Sequence, residues 1–225
     1  MNQQQTAIIR NALRLIVQRC PRLRTWCYWA GTAAIAVEEL RHRQSFDLDF
    51  HSTDALRDVR PILAELQAGF PGAFELTESP NEYGSGFQGV LTLPEGERIT
   101  VEVLSNHENV SAADLVSAAT APGLKRVTLA RYLADIIQCV AERAETRDLA
   151  DIRAVIRRHP ELRAKAKKLL AGQDAALLAE RLLSWTDAAL AADLAAYDDV
   201  APEHAREARD LLLDWLKKSV ARKST

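Results

Sequence analysis

Cysteine is scarce in this chain: Cys20, Cys27 and Cys139 are three in 225 residues, an odd number and far apart. That spacing excludes a disulfide framework and a paired zinc site, and a reducing cytoplasm is the expected setting. Long apolar runs are also lacking. No stretch reaches the roughly 18 residues that a bilayer-spanning helix needs, and the start MNQQQTAIIRNALRLIV lacks the basic, apolar and small-residue succession of a secretory signal. The expectation is a protein that neither spans a membrane nor leaves the cell by that route. There is no excess of one charge, with 29 basic and 31 acidic residues and a formal net charge of −2. Any contact with nucleic acid must therefore come from a local patch. What remains is 48% hydrophobic residues, enough to bury a substantial core as one large domain or as a domain with a helical extension.

The two halves follow different patterns. Ala7 to Arg19 carries Ile8, Ile9, Leu13, Leu15 and Ile16 at helical spacing and stops before Pro21. Trp26-Cys27-Tyr28-Trp29, then Gly31, then TAAIAVEELRHR read as strand, tight turn and helix. Ser45 to Phe50 alternates, so a strand there would set Phe46, Leu48 and Phe50 on one face and Ser45, Asp47 and Asp49 on the other. A helix is expected from after Asp54 through Leu66, with Leu56, Val59, Ile62, Leu63 and Leu66 as its stripe. Strands are expected at Phe74 to Leu76, Phe87 to Leu93 and Ile99 to Leu104. From Ser111 onward strand signals fade, and helices are expected over Thr128 to Glu142, Arg147 to Arg157, Pro160 to Leu170, Asp174 to Leu194 and Pro202 to Val220. This predicts an α+β unit over residues 1–123 and a helical domain over 124–225, with the shift near Pro122-Gly123.

Asp47 and Asp49 are one residue apart, so a strand points both heads the same way, and hard oxygen ligands so placed suit Mg²⁺ or Mn²⁺. A two-metal site asks for a further carboxylate from a neighbouring strand, and Glu102 in Ile99-Thr100-Val101-Glu102-Val103-Leu104 is the candidate. The same residues would also suit strands whose outer faces are wet. Upstream, Gly31 and Thr32 open a helix, where backbone N–H groups and a glycine that admits close approach can hold phosphate. Ser45 would sit on the rim of that site, and Arg41 and Arg43 could supply positive charge or form a solvated helix end. Asp148 and Asp151 are three apart and share a helix face with Arg147 alongside, which suits a surface salt-bridge face. His42, His51, His107, His159 and His204 show no ligand spacing, and Trp185 and Trp215 fall on helices as core residues. Arg157, Arg158, Arg163, Lys165, Lys167 and Lys168 make a local basic patch that suits an RNA backbone or a solvated helix face.

Trp29-Ala30-Gly31-Thr32-Ala33-Ala34 followed by His42-Arg43-Gln44-Ser45-Phe46-Asp47-Leu48-Asp49-Phe50 resembles the signature of the AbiEii-type nucleotidyltransferases of the polymerase β superfamily. These are toxins of type IV toxin–antitoxin and abortive-infection systems. Arg143 followed by Arg147-Asp148-Leu149-Ala150-Asp151-Ile152 is similar to the family's later arginine and Arg-Asp-x-x-Asp helix, and His159-Pro160-Glu161-Leu162 to the segment after it. The resemblance spans roughly Trp26 to Leu162 and implies a polymerase β-type nucleotidyltransferase core with a mixed sheet, followed by a C-terminal helical bundle. It implies a nucleoside triphosphate as substrate, bound through Gly31, Thr32, Arg43 and Ser45, with metal at Asp47, Asp49 and Glu102. Asp148 and Asp151 join the catalytic set by the same route, a tRNA end or other RNA becomes the acceptor, and an antitoxin protein becomes a partner. One position departs from the pattern. The family's active-site lysine falls on Ile136 in this chain, which keeps open a catalytically impaired relative that binds nucleotide or protein.

Overall fold

The computed structural model describes residues 3–143 and 145–223, with side chains to residue 218. The chain forms two compact units, Met1–Thr128 and Leu129–Thr225. Helix α1 (Gln3–Arg19) buries Ile9, Ala12, Leu13, Ile16 and Val17 on one stripe, and packs against α4 (Arg60–Gly69) and the fifth strand. Pro21 does not simply end α1 but opens a second short helix, α2 (Pro21–Trp26), where the missing proline N–H costs nothing. Strand β1 (Cys27–Trp29) follows, then α3 (Gly31–Ile35) and a π-helical turn over Ala36–Leu40. The helix expected through Arg43 stops here, because Arg41 takes the left-handed conformation with φ of 49°.

Strand β2 (Asp47–Ala55) is succeeded by α4, β3 (Phe74–Glu78), β4 (Gly86–Thr92) and β5 (Arg98–Asn106). After a 3₁₀ turn at Ala112–Asp114 come β6 (Leu115–Ser117) and β7 (Lys125–Val127). Among the described residues they form one seven-stranded mixed sheet in the order β3-β4-β5-β2-β1-β7-β6. β2 runs parallel to β5, and β1 runs antiparallel to β2 and parallel to β7.

Alternation holds where it matters for the site. Leu48 is in register with Val101 and Phe50 with Val103, all fully buried, while Asp47 and Asp49 are half-buried on the opposite face. Two expected core positions are not core. Phe46 precedes the strand and is 59% exposed, and Leu56 is 76% exposed in the turn after β2 with φ of 51°. Strands β6 and β7 are further corrections. Three residues are too few to show a period of two, and the expected boundary at residue 123 cuts β7 from the sheet to which its hydrogen bonds tie it.

The second unit is all helical among its described residues: α5 (Leu129–Glu142), α6 (Arg147–Arg158), α7 (Arg163–Ala171), α8 (Ala175–Ser184), α9 (Asp187–Leu194) and α10 (Pro202–Lys223). A single helix expected over Asp174 to Leu194 is two, because the Thr186 hydroxyl accepts from Ala189 N at 3.2 Å and caps a new start. Trp185 and Trp215 are buried as expected. No described helix is long and apolar enough to cross a membrane.

Phe50→Ala would remove a fully buried ring from the sheet's core face. The expected loss of unfolding free energy is about 3–5 kcal/mol, read as a lower urea midpoint at unchanged slope.

Candidate active site

The two motifs that the sequence separates by some fifteen residues meet in space. Ala30 N donates to the backbone oxygen of Asp49 at 2.8 Å, which extends the β1–β2 pairing by one step and carries the Gly31 turn onto β2. Gly31 has φ of 67°, a left-handed conformation that glycine adopts without penalty. A Cβ at this position would stand 1.8 Å from Asp49 Oδ2. The Asp49 carboxylate therefore lies directly against the Gly31 backbone, in space that only a glycine leaves.

Thr32, next in the turn, accepts from Arg43 Nη2 at 2.9 Å through its hydroxyl. Arg43 also donates through Nη1 to the Gln44 carbonyl at 3.2 Å and is only 6% exposed. This buried guanidinium bridges the phosphate-type turn and the lead-in to β2. Arg41 by contrast is exposed, as a solvated helix end would be. Ser45 is buried, and its hydroxyl donates to Asp47 Oδ1 at 3.1 Å, joined by Phe46 N at 3.0 Å. Ser45 precedes β2, so its hydroxyl reaches Asp47 from the lead-in to the strand and not, as the alternation predicts, from the strand face itself. Its carbonyl in turn accepts from Gln5 Nε2 at 3.1 Å.

Glu102 is in register with Asp49 on the adjacent parallel strand, which sets both side chains on one face of the sheet. The register sets Asp47, Asp49 and Glu102 on one face of the sheet, but among the described residues no three His, Cys, Asp or Glu side chains converge as a metal-holding group. That donor chemistry fits Mg²⁺, which takes one or two carboxylates and completes its shell with water and substrate phosphates. It does not fit Zn²⁺, which in proteins is held by three or four converging protein ligands.

A feature invisible to sequence patterning supports the turn from behind. Arg126 on β7 is buried and places Nη2 2.6 Å from Glu39 Oε1 and Nε 3.7 Å from Glu38 Oε2, both on the π turn that continues α3. Glu38 also accepts from Ala119 N at 3.0 Å and Thr120 N at 2.7 Å. Glutamates in a helical stretch read as solvated, and only the pairing with a distant strand identifies these as anchors.

The remaining candidates lie in the helical unit. Asp148, 2% exposed, receives Arg143 Nε at 3.0 Å and Nη2 at 3.1 Å, and Asp151, 1% exposed, accepts from the Tyr132 hydroxyl at 3.1 Å. Both are buried, so neither belongs to the surface salt-bridge face that their spacing suits. Burial pushes the Asp148 carboxyl above the usual carboxylate range, against the opposing pull of Arg143. Ile136 is part of the buried stripe of α5, with Leu129, Tyr132, Leu133, Ile137 and Val140, and Arg131 pairs with Asp135 at 2.7 Å. The cysteines are free, and burial raises Cys20 and Cys27 to about 12 and Cys139 to about 11, so no thiolate is at hand near neutral pH.

Gly31→Ala is expected to destabilise the protein by at least about 1 kcal/mol, from the positive φ and the collision with Asp49. Adding Asp49→Gly should return at least about 0.5 kcal/mol of that loss as coupling in a double-mutant cycle followed by urea unfolding. Strict additivity would place Asp49 elsewhere.

No described protein family and no curated protein matches the chain. Solved structures do match it over nearly its whole length. JHP933 from Helicobacter pylori covers 100% of this chain and 98% of its own at 17% identity and a TM-score of 0.53. A proposed nucleotidyltransferase from H. pylori covers 97% and 98% at 18% identity and 0.55. MenT4, a nucleotidyltransferase toxin from Mycobacterium tuberculosis, covers 95% and 83% at 15% identity and 0.51. At such identities the likeness is one of fold, and the fold of this chain is accordingly a nucleotidyltransferase-like α+β core followed by C-terminal helices.

Proposed function

We infer that the protein is a nucleotidyltransferase that moves a nucleotide from a nucleoside triphosphate to a hydroxyl of an RNA acceptor such as a tRNA end. The observation that carries this reading is the Asp49 carboxylate packed against the Gly31 backbone, which unites a phosphate-type turn and an acidic strand in one site. The turn at Gly31 and Thr32 receives the phosphates, with Arg43 and Ser45 on its flank. Asp47, Asp49 and Glu102, which share one face of β2 and β5, would hold Mg²⁺ or Mn²⁺ together with water and substrate phosphates, and the ion would supply charge neutralisation at the reacting phosphate. The acceptor oxygen bonds to the α-phosphorus as the bond to pyrophosphate breaks, and the hydroxyl proton passes to Glu102, the carboxylate in register with Asp49. Positioning and electrostatics suffice for such a transfer, and no covalent nucleophile is required.

The likeness to a toxin's fold and the AbiEii-type signature extend the proposal to biology: an RNA-modifying toxin of a toxin–antitoxin or abortive-infection system, acting in the cytoplasm and restrained by an antitoxin protein. The buried Ile136 favours a second reading, in which the protein binds nucleotide without transferring it. Incubation with each labelled triphosphate, Mg²⁺ and total RNA separates the two. Transfer that falls about 10²–10³-fold in Asp47→Asn and Asp49→Asn supports the enzyme. Binding without transfer supports the module, and full transfer by both variants rejects the carboxylate site.

Asp148 and Asp151 enter the catalytic set through the resemblance alone. If they are catalytic, Asp148→Asn and Asp151→Asn abolish transfer at temperatures where the variants are still folded. If they hold the helical unit together through Arg143 and Tyr132, melting temperature falls along with activity.

A further inference from the structure

The basic segment from Arg157 to Lys168 supplies none of the residues proposed for the site. Six cations stand there against a single acid, Glu161, in a chain of formal charge −2. The folded arrangement sharpens this imbalance. Glu161 is engaged by His159 Nδ1 at 3.0 Å, and Arg157 lies within electrostatic reach of Glu207 on α10. Among the described residues no ion pair involves Arg163, Lys165, Lys167 or Lys168, all of them exposed. Lys167 alone has an anchor, its ammonium 5.1 Å above the Trp215 ring.

For a nine-residue helix this pattern is unfavourable. Arg163 and Lys167 stand four apart and Lys165 and Lys168 three apart, so like charges face each other along α7. Cations also occupy its first turn, where no acid and no side-chain cap offsets the positive end of the helix dipole. A polyanion resolves all of these conflicts at once, with release of its counterions as the gain. An anionic membrane fits less well. An interfacial helix needs an apolar face turned outward beside its cations, whereas Ala166 and Leu170 are buried within the protein.

We propose that the solvent side of α7, through Arg163, Lys165, Lys167 and Lys168, carries the phosphate backbone of RNA. The proposal rests on the nucleotidyl-transfer reading for the identity of the polyanion as the acceptor.

The test is the anisotropy of a fluorescein-labelled single-stranded RNA of about 20 nucleotides, titrated with the full chain at several salt concentrations. Wild type is compared with the triple variant Arg163→Gln, Lys165→Gln, Lys168→Gln, which spares the Lys167 stacking on Trp215. The slope of log affinity against log salt should fall by about 2, roughly 0.7 for each cation neutralised, with binding at low salt weakened at least about tenfold. The variant should melt no lower than wild type, because like-charge repulsion has been removed, and should bind triphosphate as wild type does. An unchanged slope in the folded variant overturns the proposal. So does a variant that loses binding to phosphatidylserine vesicles while RNA binding is unaffected, since the surface would then belong to a membrane. If wild type transfers no nucleotide but the variant still loses salt-dependent RNA binding, the transfer reading fails and the RNA surface stands.

Discussion

The candidate site depends on one contact, the Asp49 carboxylate against the backbone of Gly31. The hydrogen bond from Ala30 N to Asp49 O continues the β1–β2 ladder past the end of β1, so the turn has to climb over β2 at the level of its second aspartate. Any side chain at residue 31 would occupy the place of Oδ2. Glycine is thus required twice, once for φ and once for space. With the turn so placed, the parallel pairing of β2 and β5 puts Glu102 beside Asp49, and the short route back from Arg41 puts Arg43 under Thr32. A site of this kind is assembled from backbone geometry first and side chains second.

The π turn at Ala36–Leu40 secures that geometry from the other side. A widened turn shifts the following residues relative to a regular α-helix, and here it presents Glu38 and Glu39 to one buried arginine of β7. Such a buried cluster is weak evidence for stability, because desolvation offsets most of the Coulombic gain. Its effect is geometric. Glu38 accepts two backbone N–H groups of the segment 119–120 while facing Arg126, and so ties together the turn, the connection between β6 and β7, and β7 itself.

How much of this could be read from sequence differs by element, for physical reasons. β2 and β5 were legible because one face of each is core and the other is not, so Leu48, Phe50, Val101 and Val103 mark the period plainly. α1, α5 and α6 were legible through stripes of comparable strength. Phe46 and Leu56 misled, since an apolar residue adjoining a strong pattern looks like its continuation although the backbone has already turned. β6 and β7 are strands because neighbours pair with them, a non-local cause that three residues cannot reveal. Gly31, Thr32, Arg43, Ser45, Asp47, Asp49 and Glu102 are nameable as candidates from their pattern and from the resemblance. The bridge from Arg43 to Thr32 and the Arg126 anchor are not, because each joins residues that no periodicity relates.

The helical unit raises the question of where positive charge for a triphosphate comes from. Ile136 lies in the apolar stripe of α5, where an ammonium would be desolvated and its pKa driven down unless a carboxylate stood close. The nearby acids of the same unit are engaged: Asp148 receives the fork of Arg143, and Asp151 the hydroxyl of Tyr132. Ile136 thus contributes apolar packing to this unit and no titratable cation. On the nucleotide-binding reading the duty falls to Arg43, which has two advantages over a lysine. Its guanidinium stays charged even when nearly fully buried, and its planar fork can hold Thr32 and the Gln44 carbonyl while keeping fixed geometry. On that reading, a permanently charged group fastened to the turn proposed to receive the phosphates makes a lysine on α5 unnecessary for binding. On the transfer reading, charge developed at the α-phosphate would be offset by a metal ion held at Asp47, Asp49 and Glu102, whose carboxylates alone would repel it.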